Sequence, residues 1–504
     1  MKQLFLAVVI SLCSFASVQS FADEAAPISM YGVVPVGIAG NAVVGTTASM
    51  TSGGALLTDG AGHFAAIDKG RSIVVKGAGA AGEDLTAAIV SVAKPTQLKL
   101  SVPASTSVTN ATYAYGTDNT QPIQAALNRF KDKGGVVLIP AGNFLCLGHL
   151  TVPDYTTLKG IDGFWCHAGN VDGVPHTYPQ DGGSTFWVTE KGATQFIDMM
   201  TDSTVEGFCF YYPLQLVSQT IPTPYPWTIE GNSGHRNINI RNVELLNSYQ
   251  GIRVAGDGNP ERVFIDCVSG QPIAMGISLD DIWDICRVNN CHFNPWWSGL
   301  NSPTLKWQEE HGIAYDIGKA DWSVGVNDMA FGYHTDFYFG RVGGACGTWT
   351  NCDPDDNHNA VICGHIDRAI GLTLIGWKCT SIIGPNGVAI LVDDCCSGSV
   401  TVLGCNFAAI NERVLQIGTG NPNVCFANNY IDSWAYKGAS SAVYAKSGIL
   451  RCNDNYFGGN LIAPDVELEP GVMKASIKDN VVSPGSMFNA INGIGDRAGI
   501  SGNF

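Results

Sequence analysis

The sequence predicts an all-β fold: one chain wound as a single-stranded parallel β-helix, closed at its start by a capping helix and preceded by a small β-rich module. Three observations predict it. A frame of apolar, any, apolar, any, turn residue, any, any, apolar recurs from residue 205 to residue 482. In its regular part the turn position moves from 376 to 404, 428, 454 and 479, steps of 28, 24, 26 and 25 residues. Within each copy the apolar residues alternate with period two, as in a strand with one buried face, where helical repeats would show 3.6. No such coil can bury its inner face alone, so neighbours must stack.

Taken in order, residues 1–22 read as a signal peptide: Lys2, the apolar run Leu4 to Leu12, then Ser20-Phe-Ala22 as a cleavage site. The expected location is therefore secreted or periplasmic. That run is too short to span a bilayer, and no later stretch approaches the roughly 20 residues a membrane helix needs, so no membrane insertion is expected. Residues 23–115 hold alternating stretches such as Ser72-Ile-Val-Val-Lys76 and Gln97-Leu-Lys-Leu-Ser101, a β-rich module. A short helix follows. Thr120 is placed to cap it, Pro122 sits in the first turn where a missing N–H costs little, and Ile123, Ala126, Leu127 and Phe130 form one apolar stripe. Such a helix can plug the open end of a stack of strands.

The apolar run Val136 to Ile139, stopped by Pro140-Ala-Gly-Asn143, opens the solenoid, expected over 116–490. Copies of the frame fall at Val205/Gly207/Phe210, Ile238-Ile240/Asn242/Leu245, Val288/Asn290/Phe293 and Val324-Val326/Asp328/Phe331. Five more follow at Leu372-Leu374/Gly376/Cys379, Val400-Val402/Gly404/Phe407, Val424-Phe426/Asn428/Ile431, Leu450-Cys452/Asp454/Phe457 and Ala475-Ile477/Asp479/Val482. Alternate apolar residues point inward, and Asn, Asp or Gly supplies the left-handed backbone of the bend. Residues 491–504 are expected as a loose C-terminal tail.

This string, from Tyr115-Gly-Thr-Asp-Asn-Thr through Gly134-Gly-Val-Val-Leu-Ile-Pro-Ala-Gly-Asn-Phe144 to Thr157-Leu-Lys-Gly160, resembles the start of the pectate-lyase-like superfamily of right-handed parallel β-helices. That superfamily includes polysaccharide lyases, polygalacturonase-type hydrolases and tail-spike depolymerases. The resemblance implies a right-handed coil and a carbohydrate substrate. It transfers little of an active site. Asp280-Asp281 resembles the paired aspartates of polygalacturonase-type hydrolases, His311-Gly312 and Gly364-His365 are partial echoes of their histidine motif, and their Arg-Ile-Lys motif is absent. The Trp-Ile-Asp-His signature of pectate lyases is also absent. Tyr225-Pro-Trp-Thr-Ile229, Asp284-Ile-Cys-Arg287, His292-Phe-Asn-Pro-Trp-Trp297 and 312–322 are similar to a poorly characterised bacterial branch.

Charge excludes two partner classes. Against 44 Asp and Glu there are 28 Lys and Arg, a formal charge of −16 that becomes −17 without Lys2, with no basic cluster. Nucleic acid and anionic membrane surfaces are not expected partners. The 16 cysteines, 15 without Cys13, suit an oxidising compartment and show no zinc-type spacing with histidine. Cys346 and Cys352 bracket a loop and are the disulfide candidate, whereas Cys379, Cys425 and Cys452 fall on inward repeat positions.

Function is expected where the repeat is interrupted, since loops between coils build one side of a solenoid into a groove. The turn steps from Asn290 to Asp328 and from there to Gly376 are 38 and 48 residues, longer than one coil. The first excursion holds Trp296, Trp297, Glu310, His311, Asp321 and Trp322. The second holds Tyr333, His334 and Asp353-Pro-Asp-Asp356. Tyr225, Trp227 and Tyr249 lie upstream. Aromatic rings in a groove suit the C–H faces of sugars, although each could equally cover the core beneath a long loop.

Carboxylates are the chemistry to seek, because glycoside hydrolysis needs an acid and a base or nucleophile at a defined separation. The densest group is Asp280, Asp281 and Asp284, joined by Glu310 or Asp321 from the first excursion. Crowding would keep one protonated as the acid, and Arg287 could hold its partner ionised. The same aspartates also suit side-chain turns. A hydrolase of an extracellular polysaccharide or oligosaccharide leads. A lyase or epimerase abstracting a C5 proton stays open through Arg287, His292, His311 and Lys319, as does a non-catalytic glycan-binding surface protein. No cofactor is required. Ca²⁺ would enter with a lyase, where Asp353-Pro-Asp-Asp356 could be a cation loop or a polar turn. A homotrimer fits the fold class without support from any residue.

Overall fold

The computed structural model describes residues 32–162, 182–232, 234–256, 258, 260–382, 384, 386–435, 440–459 and 463–504. The expected signal peptide lies outside them. The chain is a right-handed parallel β-solenoid of about 13 turns preceded by a closed six-stranded antiparallel barrel. Among the described residues, no helix is long and apolar enough to cross a membrane.

Each coil contributes three strands, so the solenoid is a three-faced prism. A first strand runs to a one-residue corner, a second continues beyond it, and a third returns on the remaining side. The corner residue has left-handed backbone in coil after coil: Gly207, Asn242, Cys267, Asn290, Asn327, Asn351, Gly376, Gly404, Asn428, Asp454, Asp479 and Gly502. Because this corner is so tight, the first and second faces merge into one 24-stranded sheet, and the third face is a separate sheet of 13 strands.

Immediately after the corner an asparagine recurs at 429, 455, 480 and 503, the first three of them buried. The side-chain oxygen of each accepts the backbone N–H of the residue one coil earlier, at Cys405, Asn429, Asn455 and Asn480, over 2.9–3.0 Å. Their Nδ2 groups donate to the carbonyls of Val402, Phe426, Cys452 and Ile477. The bend of each coil is thereby bonded to its neighbour, which satisfies polar groups that would otherwise be orphaned inside the prism.

Helix α1 (Thr120–Asn128) closes the first coil, burying Ile123, Ala126 and Leu127 in the main core, with Phe130 joining them just past its end. Its cap is not Thr120. Asp118 accepts the Thr120 N–H and hydroxyl, and the Thr120 oxygen instead takes the N–H groups of Leu147 and Gly148. The barrel, Val43–Met50 to Val108–Gly116, has its own core of Leu57, Ile73, Leu98, Tyr113 and others. It is seated on the outer side of the second face, where Ala42 and Ala114 meet Leu145, Trp187, Tyr211, Leu246 and Trp297. Lys76 of the barrel donates to the Leu214 carbonyl at 2.8 Å, and Lys191 pairs with Asp84 at 2.5 Å.

Five further expectations are corrected. The second excursion does not exist. Residues 345–363 make a full regular coil, with strands Ala345–Thr350, Asp353–Asp355 and Asn359–Cys363, so the corner advances from 327 to 351 to 376. The corner also lies at Asn327 rather than Asp328. The strand Ala320–Val326 carries a register irregularity between Ala320 and Ser323 that turns Val324 and Val326 outward. Gly325 is inward, and the Trp349 ring of the next coil fills the space a side chain there would need. Cys346 and Cys352 are free thiols, not a disulfide: an extended strand carries them about 13 Å apart over 346–350 alone, beyond the 7 Å a bridge can span. Finally, 491–504 is the last rung rather than a tail, with Ala498–Ser501 paired to Val472–Lys478. Cys425, expected inward, lies between inward Val424 and Phe426 and faces out.

Candidate functional site

In its earlier coils the third face carries one polar residue between two buried inward ones, so that these point outward in a row. In-register pairing runs Asp198, Glu230, Arg253, Ser278, Asp316, Tyr338. Neighbours in such a row stand about 4.8 Å apart. Glu230, 1% exposed, pairs with Arg253 at 2.6 Å. Asp316, 4% exposed, is gripped by both arms of Arg341, Nε to Oδ1 at 3.1 Å and a terminal nitrogen to Oδ2 at 2.5 Å, while the Ser278 hydroxyl donates to Oδ2 at 3.2 Å. Those two bonds hold the guanidinium still more firmly charged. Burial pushes the Asp198 carboxyl up, against the charges of His235 and His149.

One rim of this floor lies where the third-face strands end. Asp280 follows Met275–Leu279, and its Oδ1 accepts the Lys319 N–H at 2.8 Å. Burial pushes this carboxyl up, two backbone N–H groups oppose the shift, and the charges of Asp281 and Asp316 add to it. Asp281, in left-handed backbone, accepts from Lys319 Nζ and from the Trp283 indole, each at 3.0 Å. The Lys319 ammonium also lies 4.1 Å from the centre of the exposed Trp283 ring. Asp284 is half-buried with no ionic partner among the described residues.

The other rim lies where the third-face strands begin, and here the genuine excursion, 294–312, contributes helix α2 (Pro303–His311). Ser302 caps it by accepting the Leu305 N–H at 3.0 Å. Trp307 stacks on His311 with centroids 4.7 Å apart and 6° between planes, and Tyr249 packs beside Trp307. Next to the helix, His334 and His358 have centroids 5.0 Å apart, and burial pushes both imidazoles down. Glu310 is exposed here and its charge acts on His358. The rims are separated by the length of a five-residue strand, about 13 Å.

The expected site residues are thus divided. Asp280, Asp281 and Asp284 share one rim. Glu310, His311 and Tyr249 share the other, so Glu310 does not join the aspartates. Asp321 and the exposed Trp322 lie round the corner at the start of the first face, where Arg287 donates to the Trp322 carbonyl at 2.8 Å rather than to a carboxylate. Trp227 opens a third-face strand and is half-buried. His292 and Trp296, 4.7 Å apart, lie outside the second face. Tyr225 and Trp297, each 1% exposed, are corrected from substrate-binding to packing residues: Tyr225 against Tyr212, Trp297 against the barrel's seat. Among the described residues no three His, Cys, Asp or Glu side chains converge as a metal site, and the 353–356 stretch is mostly strand.

Asp316, Arg341, Glu230, Arg253 and Asp198 escaped the reading from residues. For all but Arg341, which follows a strand end, the signal was present as a polar residue between inward ones, in Ile197-Asp-Met199, Ile229-Glu-Gly231, Ile252-Arg-Val254 and Tyr315-Asp-Ile317.

No protein-family profile and no curated sequence matches the chain. Solved structures with this fold include gene product 12 of bacteriophage phi29 in its pre-mature form, at TM-score 0.52 and 12% identity over 77% of this chain. The match spans 55% of that protein's length. Others are the catalytic unit of a GH87 α-1,3-glucanase from Streptomyces thermodiastaticus, at 0.38 and 11% over 93% of this chain and 88% of that one, and PfbA, a surface adhesin of Streptococcus pneumoniae, at 0.40 and 14% over 74% and 86%.

Proposed function

We propose that this right-handed parallel β-helix of the pectate-lyase-like superfamily is an exported enzyme that cleaves glycosidic bonds of an extracellular polysaccharide across its third face, by carboxylate acid/base hydrolysis. The observation that carries the reading is the relation of Asp280 to Asp316. Asp280 aligns with Gly318 one strand over, two residues beyond Asp316, so the two side chains spring from points about 8 Å apart on the same surface. Inverting glycosidases hold their carboxyl groups roughly 6.5–9.5 Å apart. The two environments differ in the required sense. Burial favours the protonated form of Asp280, the acid, while both oxygens of Asp316 are held by the Arg341 guanidinium. Trp283, with Lys319 on its other face, supplies a platform for a sugar ring beside the acid. Lys319 and Arg341 are both engaged by carboxylates, which favours hydrolysis over elimination, where a free base must reach C5.

Digestion of a polysaccharide panel with product analysis tests this. Saturated reducing ends are expected, and Asp280→Asn is expected to lower kcat by about 10²–10⁴-fold with the fold intact. Undiminished turnover in that variant, or unsaturated products, would remove the assignment. Binding without any product would leave a glycan-binding protein.

A further inference from the structure

We propose that the rim beside helix α2 holds a subsite for a cationic group, the ammonium of an amino sugar in the glycan chain; this rests on the carbohydrate reading and names a substrate class within it. A cavity of about 280 Å³ opens there, lined by Glu309, Asp356, Asn357, His358 and Gly384. Asn357 is 2% exposed. Its Nδ2 donates to Asp336 Oδ2 at 2.5 Å, which fixes the amide and leaves its Oδ1 with no donor. Behind it Asp336 is fully buried. Its Oδ2 also accepts the Asp355 N–H at 3.1 Å, and burial pushes its carboxyl well up. Buried acceptors are ordinarily paired, so Asn357 Oδ1, on the wall of this cavity, marks a place where a donor is missing.

The chemistry of the missing donor follows from its surroundings. Glu309 and Asp356 both have carboxyl groups pushed up, first by burial and then by nearby acidic charges, Asp356 acting on Glu309 and Asp355 on Asp356. The neighbouring imidazoles are pushed toward neutrality and offer no competing cation. Lys306 bears only at long range on Glu309, and Lys378 approaches Asp353 no closer than 3.9 Å. A ligand that carries positive charge and only donors meets all of these needs, and an ammonium carries three donors and no acceptor. A bare metal ion is the poorer fit. No three carboxylate or imidazole groups converge at ligating distance among the described residues, and the cavity has room for the amine-bearing edge of a sugar ring.

The test is calorimetric binding of a glucosamine pentamer, its fully N-acetylated counterpart, a neutral glucan oligomer and Ca²⁺ alone to the full chain. Asp356→Asn and Glu309→Gln, isosteric changes at half-exposed positions, are measured beside it. The glucosamine pentamer is expected to bind at least tenfold more tightly than the acetylated one, and each variant to remove about tenfold of that preference. Equal binding of charged and neutral oligomers would overturn the subsite while leaving the groove reading intact. Binding of no oligomer would overturn both. Tight Ca²⁺ binding lost in the same variants would overturn the ammonium assignment in favour of a metal site.

Discussion

Asp328 occupies, in its coil, the position that asparagine holds at 429, 455, 480 and 503. It makes half of the asparagine's bonds. Its Oδ1 accepts the Cys291 N–H at 3.0 Å, but where an amide would donate it presents a second oxygen, Oδ2, buried and unmatched. Burial therefore pushes this carboxyl well up, and in its protonated form it imitates an amide. The sign of the linkage follows. An acid whose folded pKa is raised contributes its full stability below the unfolded value, about 3.9, and loses it as pH rises toward the folded one. Asp328→Asn should therefore match the parent in denaturant unfolding below pH 4 and exceed it by roughly 1–3 kcal/mol at pH 7.5, the cost of an unsatisfied buried group. A pH-independent difference would show that Asp328 is ionised and otherwise solvated.

At the scale of the element, the asparagine seam and the outward row of the third face show what the residues alone could and could not reveal. The nine frames located the solenoid because each joins two inward apolar residues to a bend, and eight of the nine have the bend where it was read. The ninth failed for a physical reason. A one-residue irregularity near Ala320 exchanges the faces of the strand, so Val324 and Val326 look inward in sequence yet point to solvent. The coil through Trp349 was missed because its inward positions hold Gly347, Trp349 and Cys352 rather than a run of aliphatics, and Trp349 fills space left by Gly325 in the coil before. Such compensation between coils cannot be seen one strand at a time. The site was half legible for the same reason: Asp280 stood out because three aspartates crowd together, whereas Asp316 becomes meaningful only beside Ser278 and Arg341, which stacking brings to it. The seam is also testable. Asn455→Ala would strand the Asn429 N–H and the Phe426 carbonyl inside the prism, and a loss of about 2–4 kcal/mol is expected in chemical denaturation. A change within 0.5 kcal/mol would mean that water replaces the amide.

For the whole molecule, barrel and solenoid are joined through aromatic packing rather than through the groove. Trp297 leaves the excursion that builds the α2 rim but is itself sunk among Trp187, Tyr211 and Ala114. Trp297→Ala should cost about 3–5 kcal/mol, read as earlier proteolysis between barrel and solenoid, without weakening oligosaccharide binding by more than about twofold. Weakened binding with an intact junction would mean that the barrel helps to form the groove. The single-residue corner carries a further consequence. One extra residue there would throw every later side chain of that strand onto the opposite surface, like a slipped reading frame. The other two corners differ in length from coil to coil and absorb such changes. Diversification by insertion and deletion is thereby steered to the borders of the third face, and a designer seeking a new specificity should splice there and leave the seam untouched.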